Sequence, residues 1–193
     1  PSSAASDVYK RQSVFANNPD EVIVVNDCST DNSLNVLKKL KKRYGKKLKI
    51  INLTKNVGVA KAEKIGIEKS KGDIIFLTNA DIVVPPNWIE KHLELHKTAD
   101  CVGNWVRYDV KFEISEEIAL PAYNASFKRK VLERIGNIDE KLVTGSEDTE
   151  FFIRARANGF KVIGDTSIPV LHYHPISGFG EEIKRMWNYG YRL

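Results

Sequence analysis

Short apolar runs alternate with amphipathic stretches along most of this chain, and that alternation constrains the fold more than any other feature. Glu21–Val25 is a near-continuous apolar run of strand length, and a stretch with leucines at helical spacing, from Leu34 to Leu40, follows it. Lys49–Leu53 is the next strand-like run, and it precedes a second helical stretch, Val59–Lys71. Repeated strand–helix alternation predicts an α/β fold with a mostly parallel central sheet and helices on both faces.

The same pattern continues through the second half of the chain. The further predicted strands are Asp73–Leu77, Cys101–Val106, Ala125–Arg129, Phe160–Ile163 and Val170–Tyr173, and the further helices are Trp88–His96, Lys130–Ile135 and Glu147–Asn158. A length of 193 residues, of which 42% are hydrophobic, suits one domain with a buried core. Residues 1–12 have neither periodicity, so we interpret them as a non-native or disordered leader and predict one domain over residues 13–193.

Positive charge is concentrated in one stretch of the chain. The net charge is +5, and much of the excess lies between Lys38 and Lys49. Such a run could contact an anionic membrane or a nucleic acid, but it more often marks a solvated helix face. No aromatic residues interleave with the lysines as a nucleic-acid platform requires, so we expect no nucleic-acid partner.

Cysteine usage and apolar run lengths bear on where the protein works. Cys28 and Cys101 lie far apart and form neither a metal-binding spacing nor a redox pair, which fits a reducing setting. The longest apolar runs, such as Ile74–Leu77, fall far short of the roughly 20 residues of a membrane-spanning helix. We expect a cytoplasmic protein, and its positive charge is compatible with peripheral association with the inner face of a membrane.

Two carboxylates follow predicted strands, where an open α/β sheet gathers its ligands. Asp27 comes directly after the first predicted strand, and Asp81 comes after the third. Ligands bind at the carboxyl ends of parallel strands, so the two side chains would share one crevice. The competing interpretation is a capping role, in which Asp27 caps the helix that follows it.

A third acidic site opens the last predicted helix. Glu147, Asp148 and Glu150 lie in its first turn. The helix dipole stabilises an acid there, but three like charges in one turn repel each other. His172 follows a short apolar strand, and a carboxylate with a histidine beside a diphosphate would make a site for Mn²⁺ or Mg²⁺.

Other patterns carry less chemistry. His92 and His96 lie one helical turn apart without the HExxH arrangement of a zinc protease, and we interpret them as surface histidines. The sequence has no GxxxxGK[ST] loop, no GxGxxG and no GxSxG. Kinase, dinucleotide-binding and hydrolase functions therefore lose their usual support.

Taken in chain order, several segments resemble the family 2 glycosyltransferases, which have a Rossmann-like fold called GT-A. These segments are Val24–Asp31, Asn56–Gly58, Gly72–Asp81, Val84–Trp88, Arg129–Glu140, Glu147–Phe151 and Leu171–His172. The first is similar to the signature VVDDGSTD, the third ends in a DxD-type element, and the sixth contains an acidic Glu-Asp pair.

The resemblance implies metal-assisted transfer of a sugar, with inversion, from a nucleotide-sugar to a hydroxyl acceptor. The residues that would bind the UDP-, TDP- or GDP-linked donor are Asp27, Ser29, Asn56, Asn79 and Asp81. Asp81 would hold Mn²⁺ or Mg²⁺ with His172 as a second ligand, and Asp148, next to Glu147, would be the general base. The acceptor would be a saccharide or a lipid-linked molecule in polysaccharide or cell-envelope biosynthesis.

Several positions depart from the family pattern. Asn79 lies where the DxD element has its first Asp, Cys28 replaces a Gly of the first signature, and Glu63 lies where the family commonly has Arg. The opening strand of the family and its PxYN-type loop have no counterpart, so we predict that the first strand of the sheet is missing. Relatives continue beyond Leu193, so the C-terminus is a second place where the domain can be incomplete.

Two further functions stay open at this stage. A nucleotidyltransferase can share this architecture and its metal, but it would favour a Gly-rich phosphate-binding loop with a Lys near the N-terminus. The other is a catalytically degraded relative that binds a nucleotide without transferring a sugar, and Asn79 is the residue that keeps this alternative open.

Overall fold

A computed structural model describes residues 13–106, 120, 122–142 and 147–172. Its strands are β1 (Val22–Asn26), β2 (Leu48–Asn52), β3 (Ile74–Thr78), β4 (Ile82–Val83), β5 (Cys101–Val106), β6 (Asn124–Lys128) and β7 (Val162–His172). The helices are α1 (Ser33–Tyr44), α2 (Val59–Lys69), α3 (Trp88–Leu95), α4 (Arg129–Ile135) and α5 (Glu147–Ala157). One further helical turn, at 13–16, precedes β1.

The strands of the described residues form two sheets. β1 and β2 pair in parallel, from Val22 opposite Leu48 to Asn26 opposite Asn52. The larger sheet has the strand order β3-β6-β5-β7-β4. α1 buries Leu37 and Leu40, and the helix ends where Gly45 takes the positive φ of 56° that glycine tolerates.

Strand direction in the larger sheet differs from the predicted parallel arrangement. β5 and β7 pair in parallel, but β6 runs antiparallel to β3 and to β5, and β4 runs antiparallel to β7. The α/β class is confirmed, whereas a mostly parallel sheet is not what these pairings form. A continuous apolar run indicates that a strand is buried on both faces, and such burial is equally available to a strand of either direction.

Helices cover both faces of the larger sheet, as predicted. Alternate residues of β3 divide between two clusters, since Ile75 packs in a core with α2, α4 and α5, while Phe76 packs with Trp88 of α3. The first core includes the aromatic side chains of Phe127, Phe151 and Phe152. This period-two division is what a strand buried on both faces requires.

One expectation for an individual element was wrong. Residues 162–172 form a single strand of 11 residues, where the sequence suggested two short ones, because Ser167 and Pro169 interrupt the apolar pattern without ending the strand.

None of the helices in the described residues is both long enough and apolar enough to cross a membrane.

His92 and His96 are core residues, so their interpretation as surface histidines was wrong. Their exposed fractions are 0% and 4%. Nδ1 of His92 and Nε2 of His96 lie 2.7 and 2.8 Å from the same hydroxyl oxygen, that of Ser126 in β6. Trp88, one turn earlier on α3, donates its indole N–H to Asn124 at 2.8 Å. This side of α3 faces β6, and Ser126 of β6 gives each buried histidine one polar partner, while Nε2 of His92 has none among the described residues.

Candidate functional site

Asp27 connects the end of β1 to the beginning of α2. Its Oδ1 accepts the backbone N–H of Val57 at 2.7 Å, and its Oδ2 accepts that of Gly58 at 2.9 Å. The side-chain amide of Asn56 reaches the backbone carbonyl of Asp27 at 3.4 Å. These two N–H groups belong to the turn that directly precedes α2, so this carboxylate ties that turn to the end of β1.

The alternative interpretation, in which Asp27 caps the helix that follows it, is wrong, because the Asp27 carboxylate bonds to the turn before α2 instead. Asp31 accepts the N–H of Ser33 at 2.9 Å at the beginning of α1. Asn26 is buried and donates from Nδ2 to Oδ1 of Asn52 in β2 at 2.6 Å. These bonds hold the turn between β1 and α1 in one position. Ser29, a predicted donor-binding residue, is exposed in that turn.

Asn79 and Asp81 lie in the tight turn that joins β3 to β4. The backbone N–H of Ile82 donates to the carbonyl of Asn79 at 3.3 Å, and the Asn79 side chain is exposed. In the antiparallel pairing of β4 with β7, Ile82 is opposite His172. The register thus places the residue after Asp81 directly across from His172.

Asp148 is held at the same edge of the larger sheet. Its Oδ2 accepts the backbone N–H of Ala122 at 2.8 Å, and its Oδ1 accepts the N–H of Thr149 at 2.6 Å. Ala122 lies two residues before β6, and the first residue of β6, Asn124, pairs with Thr78 at the carboxyl end of β3. Asp81 and Asp148 therefore belong to one edge, although they are far apart in sequence.

Glu147 and Glu63 add two buried carboxyl groups beside Asp148. Glu147 is 5% exposed, and Oε2 of Glu63 is buried without a hydrogen-bond partner among the described residues. Burial, and then the negative charges of Glu147 and Asp148, raise the pKa of Glu63 to about 8. At neutral pH the Glu63 carboxyl is accordingly protonated, which avoids three adjacent negative charges.

In the sequence Glu63 is only a departure from the family pattern, but its position on the helix already predicts that its side chain is buried. It lies three residues after Ala60 and four before Ile67, and both of these are buried in the core. A residue at those spacings shares the buried face of the helix. α2 thus presents its N-terminus to Asp27 and its buried face to the acidic end of α5.

The side chains assigned to a metal suit a hard or borderline divalent ion. Asp81 offers a carboxylate and His172 an imidazole, a donor set that Mn²⁺ accepts. No group of three or more metal-ligating side chains occurs in the described part of the chain. A metal ion held there would complete its shell with donor phosphate oxygens and water, as Mg²⁺ and Mn²⁺ commonly do.

Comparison with known proteins gives a consistent family. The model of "Glycosyl transferase family 2" matches residues 9–157. An undecaprenyl-phosphate 4-deoxy-4-formamido-L-arabinose transferase of Edwardsiella ictaluri is 26% identical over 159 residues, which are 82% of this chain and 44% of that protein. An uncharacterized glycosyltransferase of Nostoc sp. is 26% identical over 145 residues, or 62% of this chain and 45% of that one. The chain spans less than half the length of these two relatives.

Solved structures share the fold. A mannosyltransferase from Pyrobaculum calidifontis, in complex with GDP-Man and Mn²⁺, superposes with a TM-score of 0.79 at 20% identity, covering 96% of this chain and 58% of that one. Residues 1–349 of TarS from S. aureus, in complex with UDP-GlcNAc, give a TM-score of 0.70 at 17% identity, covering 88% and 55%. The fold is therefore the GT-A fold.

Proposed function

Because the chain belongs to glycosyl transferase family 2, we propose that it transfers a sugar from a nucleotide-sugar to a hydroxyl acceptor, with inversion and with a divalent metal ion. One observation carries the proposal: the pairing of β4 with β7 sets residue 82 opposite His172, and the pairing of β3 with β6 sets the Asp148 anchor, Ala122, near the end of β3. A metal-binding pair and a carboxylate base would then act on the same donor.

The donor would lie along the edge that runs from Asp27 to Asp81. Asp27 with Asn56 and Ser29 would contact the nucleoside, and Asn79 with Asp81 would lie beside the diphosphate. The two solved structures contain GDP-Man and UDP-GlcNAc, which supports a nucleoside diphosphate sugar as the donor class. A divalent ion, when bound by Asp81 and His172, supplies positive charge that stabilises the departing diphosphate.

Asp148 is proposed as the general base, with Glu147 beside it. A hydroxyl group is a weak nucleophile, so a carboxylate must accept its proton as the new bond forms. The N–H groups of Ala122 and Thr149 fix the Asp148 side chain in place. Attack by the hydroxyl on the face opposite the leaving diphosphate inverts the anomeric centre and needs no covalent intermediate on the protein.

The proposed acceptor is a saccharide or a lipid-linked molecule, and the proposed location is the cytoplasm at the inner face of a membrane. The name of the Edwardsiella ictaluri relative, an undecaprenyl-phosphate transferase, supports the lipid-linked class. A lipid-linked acceptor would require the protein to approach the membrane surface. This setting belongs to polysaccharide or cell-envelope biosynthesis.

Calorimetric titration with UDP, TDP and GDP, with and without Mn²⁺, tests donor binding. We expect one nucleotide to bind in a Mn²⁺-dependent manner, and Asp81→Asn to weaken that binding by about tenfold or more, as loss of a metal ligand does. Asp20→Asn is the control, because Asp20 is exposed before β1, at the opposite end of that strand from Asp27. Mn²⁺-independent binding, equal in both variants, would contradict the metal assignment.

The proposed base is tested with whichever donor binds. We expect Asp148→Asn to bind nucleotide normally but to transfer the sugar to an acceptor, with release of nucleoside diphosphate, about a hundredfold more slowly or worse. Glu150→Gln, on the same helical turn, is the control for the loss of one negative charge. Release of pyrophosphate from a nucleoside triphosphate mixed with a sugar 1-phosphate would instead identify a nucleotidyltransferase, and binding without any transfer would identify a relative that has lost catalysis.

A further inference from the structure

Basic residues are distributed very unevenly along this chain. Of its 30 Lys and Arg residues and 25 Asp and Glu residues, ten basic residues and no acidic residue lie between Asn32 and Ala62. The rest of the chain therefore has 20 basic against 25 acidic side chains. The whole positive excess of the protein comes from this one stretch, which contains α1 and β2.

The cations of α1 form one continuous surface. At about 100° per residue, Lys38, Lys39, Lys42 and Arg43 fall within an arc of about 140° on the helix. All four are exposed, and the buried Leu37 and Leu40 are on the opposite side. We refer to these four cationic residues as the basic face.

Ion pairs do not neutralise this surface within the described residues. Lys49, Lys61 and Lys64, which are nearby in sequence, pair with Glu21 or Glu140. The three lysines of the basic face pair with no described acid, and Arg43 lies over the ring of Tyr44 at 5.5 Å. Four adjacent like charges repel one another along the helix, which costs stability. Such a surface is suited to a polyanionic partner.

We propose that the basic face docks on an anionic phospholipid surface. This inference deepens the peripheral membrane association in the proposed function by naming the surface that makes the contact. The composition favours lipid over nucleic acid, because nine of the ten cations in the stretch are Lys. Recognition of individual phosphates favours the bidentate guanidinium of Arg, whereas attraction to the potential of an anionic leaflet depends on the number of charges.

Sedimentation with vesicles tests the inference directly. The whole chain is mixed with vesicles of phosphatidylcholine alone, or of phosphatidylcholine and phosphatidylglycerol, without donor or acceptor. We expect binding to the anionic vesicles only, weakening as salt is added. In the triple variant Lys38→Gln, Lys39→Gln, Lys42→Gln, partitioning should fall by about fivefold for each charge removed, or about a hundredfold in all. Gln keeps the helix propensity of Lys, so α1 stays folded.

A matched variant controls for net charge. Arg134→Gln, Lys141→Gln, Lys161→Gln removes three exposed cations from other elements, and it should bind vesicles as the unmodified chain does. Equal losses in both triple variants, equal binding to neutral vesicles, or tighter binding to a DNA duplex than to anionic vesicles at the same salt would overturn the inference. Transfer takes no part in this assay, so a failure here leaves the proposed function to its own tests.

Discussion

At the scale of single residues, the backbone of Cys28 shows a strain that can be removed. Cys28 has φ of 58°, in the left-handed region that disfavours every residue with a Cβ, and its N–H donates to the carbonyl of Asn26 at 2.9 Å. The signature that this segment resembles has Gly at the position. We expect Cys28→Gly to increase the free energy of unfolding by about 1 kcal/mol in urea denaturation. Cys28→Ala keeps the Cβ and serves as the control. The explanation fails if the Gly variant is no more stable than the Ala variant.

Glu63 gives a second prediction at this scale, and it concerns pH. The pKa of Glu63 is about 8 in the folded protein against 4.5 for an ordinary Glu, so the folded state holds a proton that the unfolded state releases. The contribution of Glu63 to the free energy of unfolding is fully present below pH 4.5 and is lost as the pH rises toward 8. Relative to Glu63→Gln, the unmodified chain should lose up to about 1.4 kcal/mol of unfolding free energy per pH unit in that window.

Urea denaturation of both proteins between pH 6 and pH 8 measures the Glu63 effect. Glu68→Gln is the matched control, because Glu68 is exposed on the same helix. A pH slope that Glu63→Gln leaves unchanged would show that this carboxyl is ionised in the folded protein.

At the scale of elements, the contact of α3 with β6 should be sensitive to acid. Burial, and then the neighbouring His96, lower the pKa of His92 to about 4, and burial also lowers the pKa of His96. The unfolded state therefore takes up protons below about pH 6.5 while the folded state does not, so stability should fall as pH falls from there toward 4.

The histidine effect is measured as a slope, because removing a buried side chain also lowers stability at every pH. The variant His92→Gln keeps a polar partner for Ser126. As the pH falls, we expect its free energy of unfolding to decrease less steeply than that of the unmodified chain, by up to about 1.4 kcal/mol per pH unit. Thermal or urea unfolding at several pH values between 4 and 7 provides the comparison. Identical slopes in the two proteins would mean that His92 is protonated without unfolding.

The elements also show what sequence patterns can and cannot predict. The predicted strand at Glu21–Val25 and the predicted helix at Val59–Lys71 agree with β1 and α2 to within two residues, because hydrophobic periodicity is a local property. The antiparallel direction of β6 depends on contacts between distant segments, which no local pattern contains. The burial of His92 escaped prediction for the same reason, since its partner Ser126 is 34 residues away.

At the scale of the whole molecule, the candidate site is assembled from parts that only the fold brings together. The sequence could propose Asp27, Asp81 and Asp148 one by one, from their positions after strands or at a helix start. It could not place the Asp27 carboxylate against the turn that precedes α2, nor Glu63 of α2 beside Glu147. Asp27 bonds to the turn before α2, and Glu63 lies on α2 itself, so this helix connects the donor side of the proposed site to the base side.

α2 also connects the two sheets, and this leads to a prediction about the cooperativity of unfolding. A Cβ on Gly66 would lie 3.4 Å from Val25 of β1, so this side of the helix touches the smaller sheet. Ile67 is 2% exposed and packs in the core with Ile75 of β3. Because both sheets depend on α2, we expect one cooperative urea transition, with tryptophan fluorescence and far-UV circular dichroism changing together.

Truncation of the buried Ile67 should weaken both sheets at once. We expect Ile67→Ala to lower the free energy of unfolding by about 2–4 kcal/mol while the two probes still coincide. Ile153→Ala makes the same chemical change where the side chain is 55% exposed, and its effect should stay within about 0.5 kcal/mol. If the two probes separate in Ile67→Ala, the sheets unfold independently and α2 does not couple them. If they coincide, packing at Ile67 supports the same helix that orders Asp27 and Glu63, so nucleotide binding should weaken in this variant although Ile67 contacts no ligand.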